Sequence, residues 1–251
     1  YTQESKGAGS GMIISEENNT LYVMTNYHVV EGAKEVSVQF SDETTATATV
    51  KGYDEDKDVA VLTIDMSQLS DDTKKAIAVM VMGDSDQLKA GESAIAIGNA
   101  LGYGQSVTTG VISALNRSVS MTNEETGDTQ ESGVKLIQTD AAINRGNSGG
   151  ALVDDEGKLI GITNAKRVDQ LESDRTTIDS VDNIGYALPI TQVKYAVENI
   201  LDNNGGIKRA MFGISVQLTD SKAVLENGKA VIVETVSVSE ITKGSLAASA
   251  F

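Results

Sequence analysis

Gln138-Thr139-Asp140-Ala141-Ala142-Ile143-Asn144-Arg145-Gly146-Asn147-Ser148-Gly149-Gly150 is the stretch on which the fold turns. The apolar segment Lys135–Gln138 runs into it and Ala151–Val153 leaves it, so a serine framed by glycines sits between two short β-type segments. A serine hydroxyl attacks poorly until a base removes its proton and donors stabilise the oxyanion that results. Glycines on both sides let the backbone turn tightly and aim successive N–H groups into one small space. In such a turn Gly146, Asn147 and Ser148 are the candidates for an oxyanion hole, with the N–H groups of Gly146 and Ser148 as its donors. The plain alternative is a glycine-rich β-turn with an incidental serine.

A base for Ser148 has one candidate. His28, in Met24-Thr25-Asn26-Tyr27-His28-Val29-Val30, is the only imidazole in the chain. A lone histidine at the end of an apolar strand is otherwise a satisfied structural residue. A carboxylate that fixes the histidine tautomer has to be partly buried. Asp58 directly precedes the apolar run Val59-Ala60-Val61-Leu62, whereas Asp54 and Asp56 belong to the hydrated turn before it. The order His28, Asp58, Ser148 is that of the chymotrypsin lineage and of neither other lineage that builds this triad. It puts histidine and aspartate on a first barrel, serine on a second, and the site between them.

The pattern around these residues agrees. Short β-branched or alternating segments recur at Met12–Ser15, Tyr22–Thr25, Glu35–Phe40, Ala46–Val50, Val59–Ile64, Ser93–Ile97, Val107–Ala114, Lys135–Gln138, Ala151–Val153, Lys158–Thr163 and Ile184–Leu188. Their spacing predicts an all-β protein of two barrels of similar size, at about 9–90 and 91–190, and likeness to the chymotrypsin lineage implies six antiparallel strands in each. Ser118–Gly133 and Asn164–Asn183 are polar and read as long surface loops. One helix is expected at Thr191–Asn203, with Thr191 as its N-cap, an apolar face at Val193, Ala196, Val197, Ile200 and Leu201, and Gly205-Gly206 as its stop. A boundary is expected near 206–208, and the β-patterned remainder reads as an incomplete module.

Composition narrows the function. The chain has 251 residues, a net charge of −16, no cysteine and one histidine. That charge repels phosphate backbones and anionic lipid, so no nucleic-acid partner is expected. Thiol chemistry and polyhistidine metal sites are excluded, and no metal or other cofactor is called for. No apolar run reaches the ~18 residues that span a bilayer. The chain opens on Tyr1, and any export signal or membrane anchor is expected upstream.

The segments Thr25–Val30, Asp58–Leu62 and Gln138–Gly150 closely resemble motifs of the HtrA/Deg serine proteases, as do Gly9–Gly11, Gly83–Ser85, Ala96–Asn99, Thr109–Ala114 and Asn183–Pro189. The resemblance covers about residues 8–206. It implies a chymotrypsin-like endopeptidase with His28, Asp58 and Ser148 as triad, acting on misfolded or damaged extracytoplasmic proteins as a homotrimer, with Tyr1 a candidate trimer contact. It further implies that 209–251 is the first part of a PDZ domain, with Met211, Phe212, Gly213 and Ile214 as its carboxylate-binding loop and peptide C-termini as ligands of the complete domain. The acid that selects Lys or Arg in trypsin-like pockets lies six residues before the nucleophile, where this chain has Ala142. With Ile143 beside it and Ile184 opposite, the pocket is expected to be small and apolar, favouring cleavage after small aliphatic residues. Lys166 and Arg167 stand where the family has apolar pocket residues. Asn147 replaces the aspartate that pairs with a freed amino terminus in digestive relatives, so control is expected from oligomer and peptide contacts. A non-catalytic chaperone or peptide-binding module of the same fold is the alternative.

Overall fold

A computed structural model describes residues 7–99, 104–118, 120–122, 129–131, 134–165, 183–208, 214–226 and 229–241. Contacts divide the chain into a unit that ends at Ile207 and a second that begins at Lys208.

The first unit is almost entirely β. Strands β1 (Met12–Glu17), β2 (Thr20–Thr25), β3 (Val36–Gln39), β4 (Thr45–Asp54) and β5 (Val59–Asp65) form a five-stranded antiparallel sheet in the order β1-β2-β5-β4-β3. Strands β6 (Ser93–Gly98), β7 (Ser106–Arg117), β10 (Leu136–Thr139), β11 (Ala151–Val153), β12 (Leu159–Thr163) and β13 (Gly185–Pro189) close into a barrel, in the order β10-β13-β12-β11-β6-β7. A short hairpin, β8 (Ser120–Thr122) with β9 (Thr129–Glu131), stands apart. The second module therefore has its six strands, and the first has five where six were expected. The sixth place beside β1 is held by the segment around Met80, whose N–H donates to the Ile13 carbonyl at 2.9 Å. One and three residues on, Leu159 N–H donates to the Val81 carbonyl and Gly83 N–H to the Leu159 carbonyl, each at 2.8 Å. The segment divides its backbone bonds between the two modules, so it builds a ladder with neither.

Strand alternation produces two separate cores from one central strand. On β5, Ala60, Leu62 and Ile64 face Leu21 and Val23 of β2 and Ala46 and Ala48 of β4, inside the first module. Val59 and Val61 point the other way, into a cluster with Met24, Leu159, Ile162 and Leu188. Because β5 is buried on both faces, it reads as a near-continuous apolar run, as a doubly covered strand should. The helix Ile190–Asp202 (α3, after the short helices α1 at Tyr27–Val30 and α2 at Asp71–Ala76) lays Val193, Ala196, Val197 and Ile200 into this shared cluster, so one helix face seals both modules.

That helix starts one residue earlier than the sequence predicts, and Thr191 is not its N-cap. Pro189 occupies the cap position without a side-chain bond. The Ser85 hydroxyl accepts from Thr191 N–H at 3.1 Å, and the Thr191 hydroxyl donates to Asp86 Oδ1 at 2.7 Å. A donor left open at the helix start is thus satisfied from a distant loop, which the local cap pattern could not reveal. At the far end, Gly205 has φ +92° and its carbonyl lies against Gly52 of β4.

In the second unit, β14 (Ile214–Glu226) and β15 (Lys229–Ile241) pair as a long antiparallel hairpin. Of the sequence-predicted carboxylate-loop residues, Ile214 opens β14, whereas Met211, Phe212 and Gly213 lie outside the described residues, as does Tyr1.

A Cβ at Gly52 would enter the Gly205 carbonyl and the neighbouring backbone, with no flexible side chain there to yield. Gly52→Ala should therefore lower stability by about 1–3 kcal/mol through overpacking. The shift of the urea midpoint at constant slope is the check, and an unshifted midpoint would contradict this packing of α3 on β4.

Candidate active site

His28 sits in α1, a single turn that follows β2 directly. Asp58 sits at the foot of β5, and β2 and β5 are paired from Thr20↔Asp65 to Thr25↔Ala60. This pairing brings the two side chains together. His28 Nδ1 lies 2.8 Å from Asp58 Oδ2 and 3.0 Å from Oδ1, and the His28 backbone N–H donates to Oδ1 at 3.0 Å. An ionised carboxylate only accepts, so Nδ1 carries the proton and Nε2 is left as the basic nitrogen. Asp58 takes φ +51°, a left-handed conformation that disfavours non-glycine residues. Its carbonyl is held there by the Asn26 side-chain amide at 2.8 Å. Local strain at a buried acid pairs with a functional geometry here.

Asp58 is 7% exposed. Burial alone would raise its pKa, but the His28 side chain, its charge and its backbone N–H, together with the Asn164 amide, outweigh that and hold it below the ordinary carboxylate value. Asn164, expected from the sequence at the start of a surface loop, is instead part of the site. It directly follows β12, is fully buried, and donates from Nδ2 to Asp58 Oδ2 at 2.7 Å while its own N–H donates to the Tyr186 carbonyl at 2.9 Å. The next residue, Ala165, donates its N–H to the Ser148 hydroxyl at 3.0 Å. Two consecutive residues of the second module thus hold the acid of the first module and the serine of the second.

Ser148, 6% exposed, stands in a turn tied down on β12. The Thr163 hydroxyl donates to the Asn147 carbonyl at 2.6 Å, Gly149 N–H donates to the Thr163 carbonyl at 3.0 Å, and Gly150 N–H donates to the Asn147 carbonyl at 2.8 Å. Ser10 ties the turn to the first module: its N–H donates to the Ser148 carbonyl at 2.8 Å and its hydroxyl to the Gly146 carbonyl at 2.7 Å. Glycine is required at 149, where φ is +83° and a Cβ would strike the Ser10 carbonyl and the Thr25 hydroxyl. Among the described residues the N–H groups of Gly146 and Ser148 meet no acceptor, whereas the Asn147 N–H is spent on the Asn144 carbonyl at 3.0 Å. No hydrogen bond joins His28 Nε2 to the Ser148 hydroxyl among these residues. The hydroxyl is turned to Ala165.

A match to the trypsin-like peptidase domain spans residues 9–162. Serine proteases of the HtrA and DegP kind are its relatives, and the chain belongs to the HtrA/Deg family. It is 41% identical over 212 residues to the serine protease Do-like HtrA of Bacillus subtilis, covering 84% of this chain and 42% of that protein. It is 40% identical over 212 residues to the periplasmic serine endoprotease DegP of Escherichia coli, covering 84% and 39%. The solved structure of the HtrA-type protease AlgW with a decapeptide superposes with a TM-score of 0.64 at 33% identity, covering 94% of this chain and 64% of that one. The chain spans less than half the length of these two curated relatives.

Of the residues expected at a specificity pocket of this HtrA-family chain, Ala142, Ile143 and Ile184 are described. Ala142 is exposed, and its carbonyl accepts from the Thr108 hydroxyl at 3.0 Å. Ile143 is buried inside the barrel cluster against Gly185, whereas the half-buried Ile184 packs with the cluster under α3. Adjacent positions at a strand start point to opposite faces, which separates 184 from the 143–185 contact. Lys166 and Arg167 lie outside the described residues.

The folded-state pKa of Asp58 is depressed, so its contribution to stability is present above the unfolded carboxylate value of about 3.9 and is lost as pH falls through the folded pKa. Asn164→Ala removes one donor to the anion and should shift that loss to higher pH. Urea midpoints at a series of pH values from neutral to acid are the check, and curves of unchanged shape would mean that Asn164 contributes nothing to the charge of Asp58.

Proposed function

We propose that this chain is a serine endopeptidase in which Ser148 is the nucleophile, His28 the general base and acid, and Asp58 the residue that fixes the His28 tautomer. The observation that carries this reading is the doubly held Asp58: His28 on one side, Asn164 on the other, with Ser148 one residue from Asn164 through the Ala165 bond. Rotation of the Ser148 side chain away from Ala165 N–H would present the hydroxyl to Nε2. The base then takes the proton as oxygen attacks the scissile carbonyl, and Asp58 stabilises the imidazolium without itself becoming protonated. The unspent N–H groups of Gly146 and Ser148 suit the oxyanion of the tetrahedral intermediate. Imidazolium next protonates the leaving amine, and water releases the acyl group by the same steps in reverse.

The finer reading comes from the relatives. Three of them carry "periplasmic" in their names, DegP of Escherichia coli, a DegP-like endoprotease of Halomonas elongata and a do/HhoA-like protease of Haemophilus influenzae, which favours an extracytoplasmic site of action. Among the described residues no helix is long and apolar enough to cross a membrane. In our reading the substrates are unfolded or misfolded polypeptides, cleaved after small aliphatic residues. The 1–206 segment is the protease domain, and the residues from 209 begin a PDZ module that takes peptide C-termini when complete. A homotrimer is the assembly this reading assumes, with membrane contact only through an upstream anchor.

Ser148→Ala should reduce casein cleavage to background, with circular dichroism and the urea midpoint close to those of the parent protein. Fluorophosphonate labelling should be lost in the same variant. Retained cleavage by well-folded Ser148→Ala would overturn the assignment.

A further inference from the structure

The chain contains seven tyrosines, three phenylalanines and no tryptophan, and two of the tyrosines stack against each other beside His28. Tyr27 is the first residue of α1, immediately before His28. Tyr53 lies on β4 beyond the irregularity between Val50 and Gly52, where it pairs with Ala60, which pairs in turn with Thr25. The strand register thus brings Tyr53 level with the end of β2, from which α1 departs. The ring centroids are 4.5 Å apart with an interplanar angle of 23°. Tyr53 is 48% exposed and Tyr27 is half-buried, so the stack is anchored at one ring and open at the other. An aromatic pair serving only the core would hide both rings.

Two carboxylates act on the Tyr27 phenol. Glu31 follows α1 and Glu55 follows Tyr53 by two residues, and both are exposed. With burial as the larger cause, these two carboxylates and the Tyr53 ring raise the pKa of the Tyr27 phenol. Lys51 is taken up elsewhere: its ammonium lies 5.7 Å from the centroid of Tyr22, a ring packed on the opposite face of the sheet. Lys34 and Lys57 are the other cations of the neighbouring turns, Lys34 exposed and Lys57 partly so. An open aromatic face bordered by carboxylates complements a guanidinium or ammonium group, which gains from the ring quadrupole and from the anions together.

We propose that Tyr27, Tyr53, Glu31 and Glu55 form a subsite beside His28 that takes an arginine or lysine side chain of the substrate next to the cleaved bond. The inference rests on the serine-endopeptidase reading and adds to it a preference at a position other than the apolar residue after which cleavage occurs. It also joins a local recognition element to the long-range attraction that a chain of net charge −16 exerts on cationic polypeptides.

The test uses peptides of one sequence in which each position flanking the cleaved bond carries arginine, norleucine or glutamate in turn. The rate constant kcat/KM is expressed per serine labelled by fluorophosphonate. At one flanking position the parent protein should favour arginine over norleucine by about 3- to 30-fold, the range a cation–aromatic contact supplies, and should disfavour glutamate. Tyr53→Leu should bring the arginine-to-norleucine ratio towards one, Tyr53→Phe should keep it, and Glu31→Gln with Glu55→Gln should lower it without any change to the rings. A ratio unchanged in both Tyr53→Leu and the double glutamine variant would overturn the subsite, as would a parent protein with no arginine preference at any flanking position. A parent protein that neither cleaves nor labels would instead overturn the peptidase reading, and the subsite with it.

Discussion

The first unit is organised around a carboxylate that has been taken out of water and given donors from two sides. Removing Asp58 from solvent costs several kcal/mol unless its oxygens are hydrogen-bonded. The imidazole and backbone N–H of His28 satisfy it from its own module, and the Asn164 amide satisfies it from the closed barrel. Neither set can be supplied unless β2 is in register with β5 and β12 ends beside them. The same contacts that compensate the burial of the anion therefore fix the tautomer of the only histidine and dock one module on the other.

Packing supports this arrangement from behind. The doubly buried strand β5 carries Asp58 at its foot and sends alternate side chains into two cores, one internal to the first sheet and one shared with the barrel and α3. Its position is set from both faces, so Asp58 has little freedom to move even though its own backbone is strained. On the barrel side, Thr163, Asn164 and Ala165 act in sequence on the serine turn, the acid and the serine hydroxyl. One strand end thus positions most of the site.

Much of this was legible in the sequence because it depends on local pattern. Glycines around Ser148, a single histidine and an aspartate abutting an apolar run each leave a local trace, and their order along the chain limits the topology. The strands followed from alternation. What escaped depends on contacts between distant residues. Asn164 is an ordinary polar residue at a strand end until barrel closure aims it at an acid 106 positions away. Ser85 satisfies the start of α3 across a separation of the same size, and no cap motif at Thr191 could show it. Ile143 and Ile184, both expected at the pocket, pack into different clusters, a consequence of strand parity that no local pattern displays. The missing sixth strand of the first sheet has a similar cause, since the segment around Met80 is extended but shares its bonds between two modules.

The chain offers an unusually clean readout of its central contact, because it has one histidine and therefore one imidazole signal to follow. Nitrogen-15 NMR of His28, recorded before and after fluorophosphonate modification of Ser148, tests the arrangement directly. The account requires a single tautomer protonated at Nδ1, with a strongly downfield proton characteristic of a bond to carboxylate, and a marked change at Nε2 once the serine is modified. Two tautomers in rapid exchange, indifferent to the adduct on Ser148, would contradict it.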